Sequence, residues 1–254
     1  MVDTTGGRGR TCTEDENQAG RTTRSASLCK VSGFFTIDLM YSEPVPTSLG
    51  ASLLALIFPP RCVLCLTAGT GLCIACITTL PPAPELAAPP GFDSCFSLLS
   101  YSGATKQLVA ALKFNNHRDA VGVLGFAMSQ LLDMPESLSH PQLTVTWAPT
   151  SAQRRNKRGF DQAELLAGAV ASSLGLRSAR LLRRLPGEAQ TGNNRADRLL
   201  GPQFQSQVQP PERVLIIDDV RTTGATLCAA ADALIESGAR SVHGLTLAVT
   251  LLQG

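Results

Sequence analysis

Val214-Leu215-Ile216-Ile217-Asp218-Asp219-Val220-Arg221-Thr222-Thr223-Gly224-Ala225-Thr226 sets four apolar residues, two acids and a hydroxyl-rich turn in that order. An unbroken apolar run of this kind predicts a strand buried on both faces, the habit of parallel sheets covered by helices. Ligands of open α/β sheets bind at the carboxyl ends of such strands. The turn Thr222 to Thr226 then opens a helix, where unpaired backbone N–H groups, threonine hydroxyls and the positive end of the helix dipole favour a phosphate. Gly224 lets the backbone approach closely. Asp218 and Asp219 repel phosphate, so they suit hydroxyl groups or a divalent cation beside it. Ribose 5-phosphate carries both kinds of group. The plainer alternative, a buried strand ending in a solvated acid pair with a threonine helix cap, explains each part but not their contiguity. The chain has neither G-x-x-x-x-G-K-[ST] nor a G-x-G-x-x-G after a strand, which removes the Walker loop and the dinucleotide fingerprint.

Outward from this segment, strand and helix signals alternate. A β-like stretch covers Ser94 to Tyr101, and helical patterns cover Thr105 to Phe114 and Arg118 to Leu132. A strand over Leu143 to Ala148 and a helix over Gln162 to Leu174 precede the central strand. A helix over Thr226 to Ser237 and a strand over Val242 to Thr250 follow it. The expected class is α/β, a mainly parallel sheet flanked by helices.

Ahead of that domain, Cys62, Cys65, Cys73 and Cys76 form C-x2-C-x7-C-x2-C. Two such pairs can each wrap a turn around one tetrahedral ion, and four thiolates leave no open position, so a structural zinc module is expected. A redox C-x-x-C accounts for one pair and leaves the other unexplained. Cys12, Cys29, Cys95 and Cys228 have no such spacing and read as incidental small apolar residues.

Residues 1–46 are poor in large apolar side chains before Phe34 and are expected to be a disordered extension. Met40, just upstream of the first stretch expected to be structured, leaves open the alternative of an internal translation start. Residues 47–80 are read as a short helix over Leu49 to Phe58 followed by the zinc module. Residues 81–91 are read as a Pro-rich linker, and residues 92–254 as the main domain.

Between strand and helix, Ser151 to Asp161 carries Arg154, Arg155, Lys157, Arg158 and Gly159. So dense a charge run cannot be buried, and an exposed loop is expected. Its use is either that of a solvated surface or that of a hood, in which Arg154, Arg158 and a Gly159 hinge close over a departing diphosphate with magnesium.

The 254 residues carry 22 Lys and Arg against 20 Asp and Glu, a net charge of +2 that gives no whole-molecule argument for nucleic acid or membrane binding. The apolar run Leu53 to Phe58 is far short of the roughly 20 residues a membrane helix needs. The N-terminus lacks a signal-peptide core, so a cytoplasmic location is expected.

The strand-and-turn segment closely resembles the phosphoribosyl pyrophosphate (PRPP) motif of type I phosphoribosyltransferases. That resemblance implies that Asp218 and Asp219 hold the ribose 2′ and 3′ hydroxyls as the catalytic acids, and that Thr222, Thr223, Gly224, Ala225 and Thr226 hold the 5′-phosphate. Arg158-Gly159-Phe160-Asp161-Gln162-Ala163 resembles the R-G-F-N-Q-A segment of ComF-like (competence protein F) proteins, with Asp161 in place of the commoner Asn. Tyr101-Ser102-Gly103, Leu112-Lys113-Phe114 and Ala148-Pro149-Thr150 resemble further stretches of that family, as does the cysteine spacing. Gln190-Thr191-Gly192 with Arg195 and Arg198 does so too, although Gly201 stands where an Asn is usual. The likeness runs from about Leu53 to Thr250. It implies a type I phosphoribosyltransferase-like fold preceded by a zinc-binding module, and leaves two functions open. One is a Mg2+-dependent enzyme moving the phosphoribosyl group of PRPP to a nitrogen nucleophile, with specificity in the variable region 102–120 and the C-terminal strand. The other is an accessory component of DNA uptake that binds a phosphoribosylated ligand, uptake proteins or single-stranded DNA without turnover.

Overall fold

A computed structural model describes residues 59–114, 119–132, 143–186 and 202–251 of the chain. All of these residues lie in one compact unit within 42–254. The extension over 1–46, the helix expected over Leu49 to Phe58, and the Gln190 to Gly201 stretch lie outside the described residues.

The elements run α1 (Ile74–Thr79), β1 (Ser94–Ser100), α2 (Gly103–Phe114), α3 (Asp119–Ser129), β2 (Leu143–Trp147), α4 (Ala152–Arg158) and α5 (Gln162–Leu174). They continue through β3 (Arg177–Ser178), β4 (Leu182–Arg184), β5 (Phe204–Ser206), β6 (Arg213–Arg221), α6 (Ala225–Glu236) and β7 (Ser241–Val249). Five strands form one sheet in the order β1-β7-β6-β2-β3, every neighbouring pair parallel, while β4 and β5 pair antiparallel in a separate ribbon. The expected mainly parallel α/β sheet is present.

The apolar run of β6 explains its central place. Val214, Leu215, Ile216 and Ile217 are all fully buried, and successive side chains alternate between faces. Leu215 and Ile217 join Val145, Leu166, Val170, Leu245 and Leu247 in one core. Val214 and Ile216 join Leu227, Ala230 and Leu234 of α6 in the other. Burying an aliphatic side chain contributes about 1.5–3 kcal/mol, so a polar replacement at any of these four positions would cost more than most surface changes. On the first face α3 and α5 pack closely enough that a Cβ added at Gly125 would overlap Ala169.

Strand order also locates the site. From β2 the chain goes outward to β3, then returns to lay β6 along the other side of β2. Such a reversal opens a crevice between the carboxyl ends of the two strands, because their connections leave in opposite directions. The register Trp147↔Ile217 brings Ala148 to Thr150 level with Asp218 to Val220 there.

The cysteine module is docked on this body. Cys62, Leu72, Ile77 and Leu80 are buried in the same core as Leu99, Leu108, Leu112 and Leu124. Gly71 lies so close to the backbone of Asp119 and Ala120 that a Cβ would collide with it. The linker then runs along the edge of β1, with Ala83 N donating to Leu98 O at 3.1 Å and Ser100 N to Pro81 O at 2.9 Å.

One expectation is corrected. Ser151 to Asp161 is not an exposed loop throughout, because Ala152–Arg158 is the helix α4. Ser151 caps it, its hydroxyl accepting from Arg154 N at 3.3 Å, and Gly159 ends it at φ 79. Arg155, Lys157 and Arg158 fall in the last turn, where the helix dipole favours cations. The expected exposure holds, since none of its residues is buried. The charge run is thus one turn-and-a-half of solvated helix. The short strands β3, β4 and β5 had no counterpart in the sequence reading. No helix among the described residues is long and apolar enough to cross a membrane.

Candidate functional site

At the crevice between β2 and β6 lies a cleft of about 270 Å³. Among the residues singled out in the sequence, Asp218, Asp219, Thr222, Thr226, Arg154 and Arg158 line it together. Thr223, Ala225, Gly224 and Gly159 do not line it. Thr223 Oγ1 accepts from Ala225 N at 3.3 Å, tightening the turn, and Gly224 supplies φ +82 immediately before α6. Gly159 serves as the left-handed C-cap of α4.

The acid pair is held by the strand and balanced from outside it. Asp219 N donates to Asp218 Oδ1 at 2.8 Å. Lys113, at the end of α2, places Nζ 2.5 Å from Asp219 Oδ2, with both side chains about one-fifth exposed (21% and 18%). Although residue 218 as a whole retains some exposure, its carboxyl is enclosed. Burial, and then the charge of Asp219, push Asp218 well above the usual carboxylate range, with Lys113 opposing.

The opposite wall is positioned by Asp161. Its Oδ2 accepts from Thr150 N at 2.8 Å and its Oδ1 from Ala163 N at 3.1 Å, so one buried side chain caps α5 and pins the end of β2. Burial raises the Asp161 pKa, with the two N–H donors opposing. Both oxygens act as acceptors, which an asparagine amide cannot match, and this accounts for an acid at this position.

Several cleft residues are not among the site residues expected from the sequence. Lys113 and Tyr101 were noted in motifs, and Gln162 stood within one, but Arg184 carried no signal. It projects from β4 beside the Phe204 ring, 5.7 Å from the centroid, and lines the cleft. Burial, then the nearby charge of Arg154, lower its pKa. Only the tertiary pairing of β4 with β5 brings it here. Cys95 and Cys228 lie away from this lining, in or against the α6 side of the sheet, with burial raising both thiols.

Cys62, Cys65, Cys73 and Cys76 converge as their spacing predicts. Their sulfur atoms all lie within 4.8 Å of one another, and Cys65 and Cys73 Sγ are 3.6 Å apart. A tetrahedral ion with bonds of about 2.3 Å needs sulfur separations of about 3.8 Å, so the group fits and can hold a metal ion. Their surroundings pull the thiol pKa values apart. At Cys62 burial is outweighed by backbone N–H donors of Cys65, Cys73 and Leu64, giving about 6. At Cys76 burial and the other three thiols push the value to about 12.

No family model matches the chain. It is 32% identical over 155 residues to competence protein ComFC of Bacillus subtilis, covering 59% of this chain and 62% of that protein. It is 29% identical over 154 residues to ComFC of Streptococcus pneumoniae, covering 59% and 66%. It is also 28% identical over 181 residues to DNA utilization protein YhgH of Salmonella typhimurium, covering 68% and 79%. The match therefore spans slightly under two thirds of each ComFC. Among solved structures it is similar to a purine phosphoribosyltransferase of Pyrococcus horikoshii, with 18% identity, TM-score 0.30, and coverage of 51% and 72%. An orotate phosphoribosyltransferase of Aeropyrum pernix gives 19%, 0.32, 57% and 64%. The resemblance to ComF-like proteins is one of homology, and the fold rests on the sheet described above.

Proposed function

We propose that this homologue of the ComFC proteins binds PRPP or another phosphoribosylated small molecule in the β2/β6 cleft. The observation carrying this reading is the convergence of Asp218, Asp219, Thr222 and Thr226 at the topological switch point, opposite Arg154, Arg158 and Arg184. The acid pair accepts hydrogen bonds from the ribose hydroxyls, while the threonine turn and the start of α6 receive the 5′-phosphate. The guanidinium groups across the cleft neutralise a diphosphate. Mg2+ bound with the diphosphate would add positive charge at that oxygen cluster, with Asp218 and Asp219 as the acids available to it. In transfer, the C1–oxygen bond breaks with its electron pair leaving on pyrophosphate, and a nitrogen adds to C1 and loses its proton. The four-cysteine site holds zinc in a structural role.

The names of the relatives favour a second reading within the same fold, a part in DNA uptake and use in which the ligand is bound without turnover. Calorimetric titration with PRPP and Mg2+, followed by pyrophosphate release over a panel of bases, separates the two. Binding with release marks an enzyme, and binding without release for any base marks the accessory role. Absence of binding overturns the ligand assignment.

A further inference from the structure

Donors crowd the cleft: Lys113, Arg154, Arg158 and Arg184 all reach its walls. Among the carboxylate and amide oxygens on those walls, most are committed. Asp161 spends both oxygens on backbone N–H groups, and Asp218 and Asp219 are assigned above to sugar hydroxyls. Gln162 remains. It opens α5, lines the cleft and is only 5% exposed. Its Oε1 is buried and has no hydrogen-bond partner.

A buried carbonyl oxygen without a donor is unfavourable, and native structures retain few of them without a reason. An apolar side chain of the same reach would fill the space at no such cost, so the amide is best explained by a ligand that completes it. The chemistry of that ligand follows by elimination among donors. Ionised phosphates carry none. Sugar hydroxyls are matched by the acid pair, and a cationic donor would be drawn to Asp219, as Lys113 already is. The donor left for Gln162 is a neutral N–H.

We propose that Gln162 is the specificity-determining residue of the cleft, accepting a hydrogen bond from a neutral N–H on the edge of a nitrogen heterocycle that receives the phosphoribosyl group. This deepens the phosphoribosyl-binding reading and rests on it. Sites built around a buried hydrogen-bonding group reject analogues that cannot pair with it, because the orphan then persists in the complex.

The test titrates the full zinc-loaded chain with ribose 5-phosphate and Mg2+, and separately with adenine, hypoxanthine, uracil and 1,3-dimethyluracil, which has no N–H. At least one N–H base binds and the dimethylated one does not. Gln162→Leu weakens that base about tenfold relative to ribose 5-phosphate, the scale of one lost hydrogen bond, while its melting temperature holds or rises because the orphan is gone. Gln162→Glu, which keeps an acceptor, recovers part of the affinity and serves if the leucine variant fails to fold. The proposal is overturned if no base binds to protein that binds ribose 5-phosphate. It is equally overturned if base affinity is unchanged in Gln162→Leu, or if base and ribose 5-phosphate affinities fall together with the melting temperature. Loss of ribose 5-phosphate binding in the unaltered chain sinks the underlying reading instead, and base binding measured without the sugar still judges Gln162.

Discussion

The thiol knuckle and the acidic end of β6 present the same electrostatic problem with different answers. Each packs groups that become anionic into a small space, and in each burial, followed by the neighbouring groups, pushes at least one pKa upward, Cys76 to about 12 and Asp218 well above the carboxylate range. At the strand end the chain supplies its own counter-charge through Lys113. At the knuckle the adjacent cation, Arg61, donates instead to Leu66 O at 3.2 Å. A cluster balanced from within stands without an added ion and can exchange that balance for a ligand. A cluster with no such internal balance is the one that a bound cation would stabilise most.

The largest effect is expected where that stabilisation is removed. Cys62→Ser, or a strong chelator, should remove the metal, measured as about one zinc per chain lost by elemental analysis, and lower the melting temperature, because coordination energy is folding energy for such modules. Retention of both zinc and stability would place the two clusters on the same footing. Next, Asp218→Asn with Asp219→Asn should weaken ribose 5-phosphate by about a hundredfold or more, as two charge-assisted hydrogen bonds are lost, with little change in melting temperature, because relief of the buried Asp218 charge offsets loss of the Lys113–Asp219 pair. Calorimetry reads the first and scanning fluorimetry the second. Lys113→Met removes the internal balance, and since both side chains are largely covered it should cost about 1–3 kcal/mol in denaturant titration at pH 7.

The smallest effect concerns pH and sharpens the sign of the comparison. Because the folded Asp218 pKa lies above the ordinary value of 3.8, the folded state holds its proton more tightly than the unfolded chain. Its contribution is therefore favourable in acid and is lost as pH rises from about 3.8 through the raised folded value. Asp218→Asn should be more stable than the unaltered protein at pH 7, with the gap closing as pH falls toward 3.8. A gap that widens in acid would show a carboxylate stabilised by its surroundings.

Legibility in the sequence followed contiguity. Val214 to Ile217, Asp218 and Asp219 and the Thr222 to Thr226 turn are neighbours in chain and in space, so one strand and one helix start suffice to read them. The cysteine pairs are similar, since seven residues close their loop. Arg154 and Arg158 are legible as candidate site residues, yet their helix is not, because so dense a charge run carries the signal of a loop. Ser151 and Gly159 carried the cap signals that mark its two ends. Arg184 was beyond reach, because a three-residue strand has no periodicity of its own and exists through pairing with Phe204 to Ser206. The role of Gln162 was hidden for another reason: its unpaired oxygen is a property of packing.

The linker beside β1 bears on how this protein can be cut. Pro81 to Ala83 covers the backbone groups of Leu98 and Ser100, and further along Arg221 donates to Ala87 O at 3.0 Å, while Pro89 lies 3.7 Å from the position a Cβ on Gly224 would take. A fragment begun at Ser94 would lay bare a sheet margin that already shows Phe96 at 38% exposure, the kind of surface on which chains stack into aggregates. It would also strip two supports from the turn before α6. Expression of residues 94–254 by themselves should therefore yield insoluble material, and soluble fragments should begin upstream of Cys62.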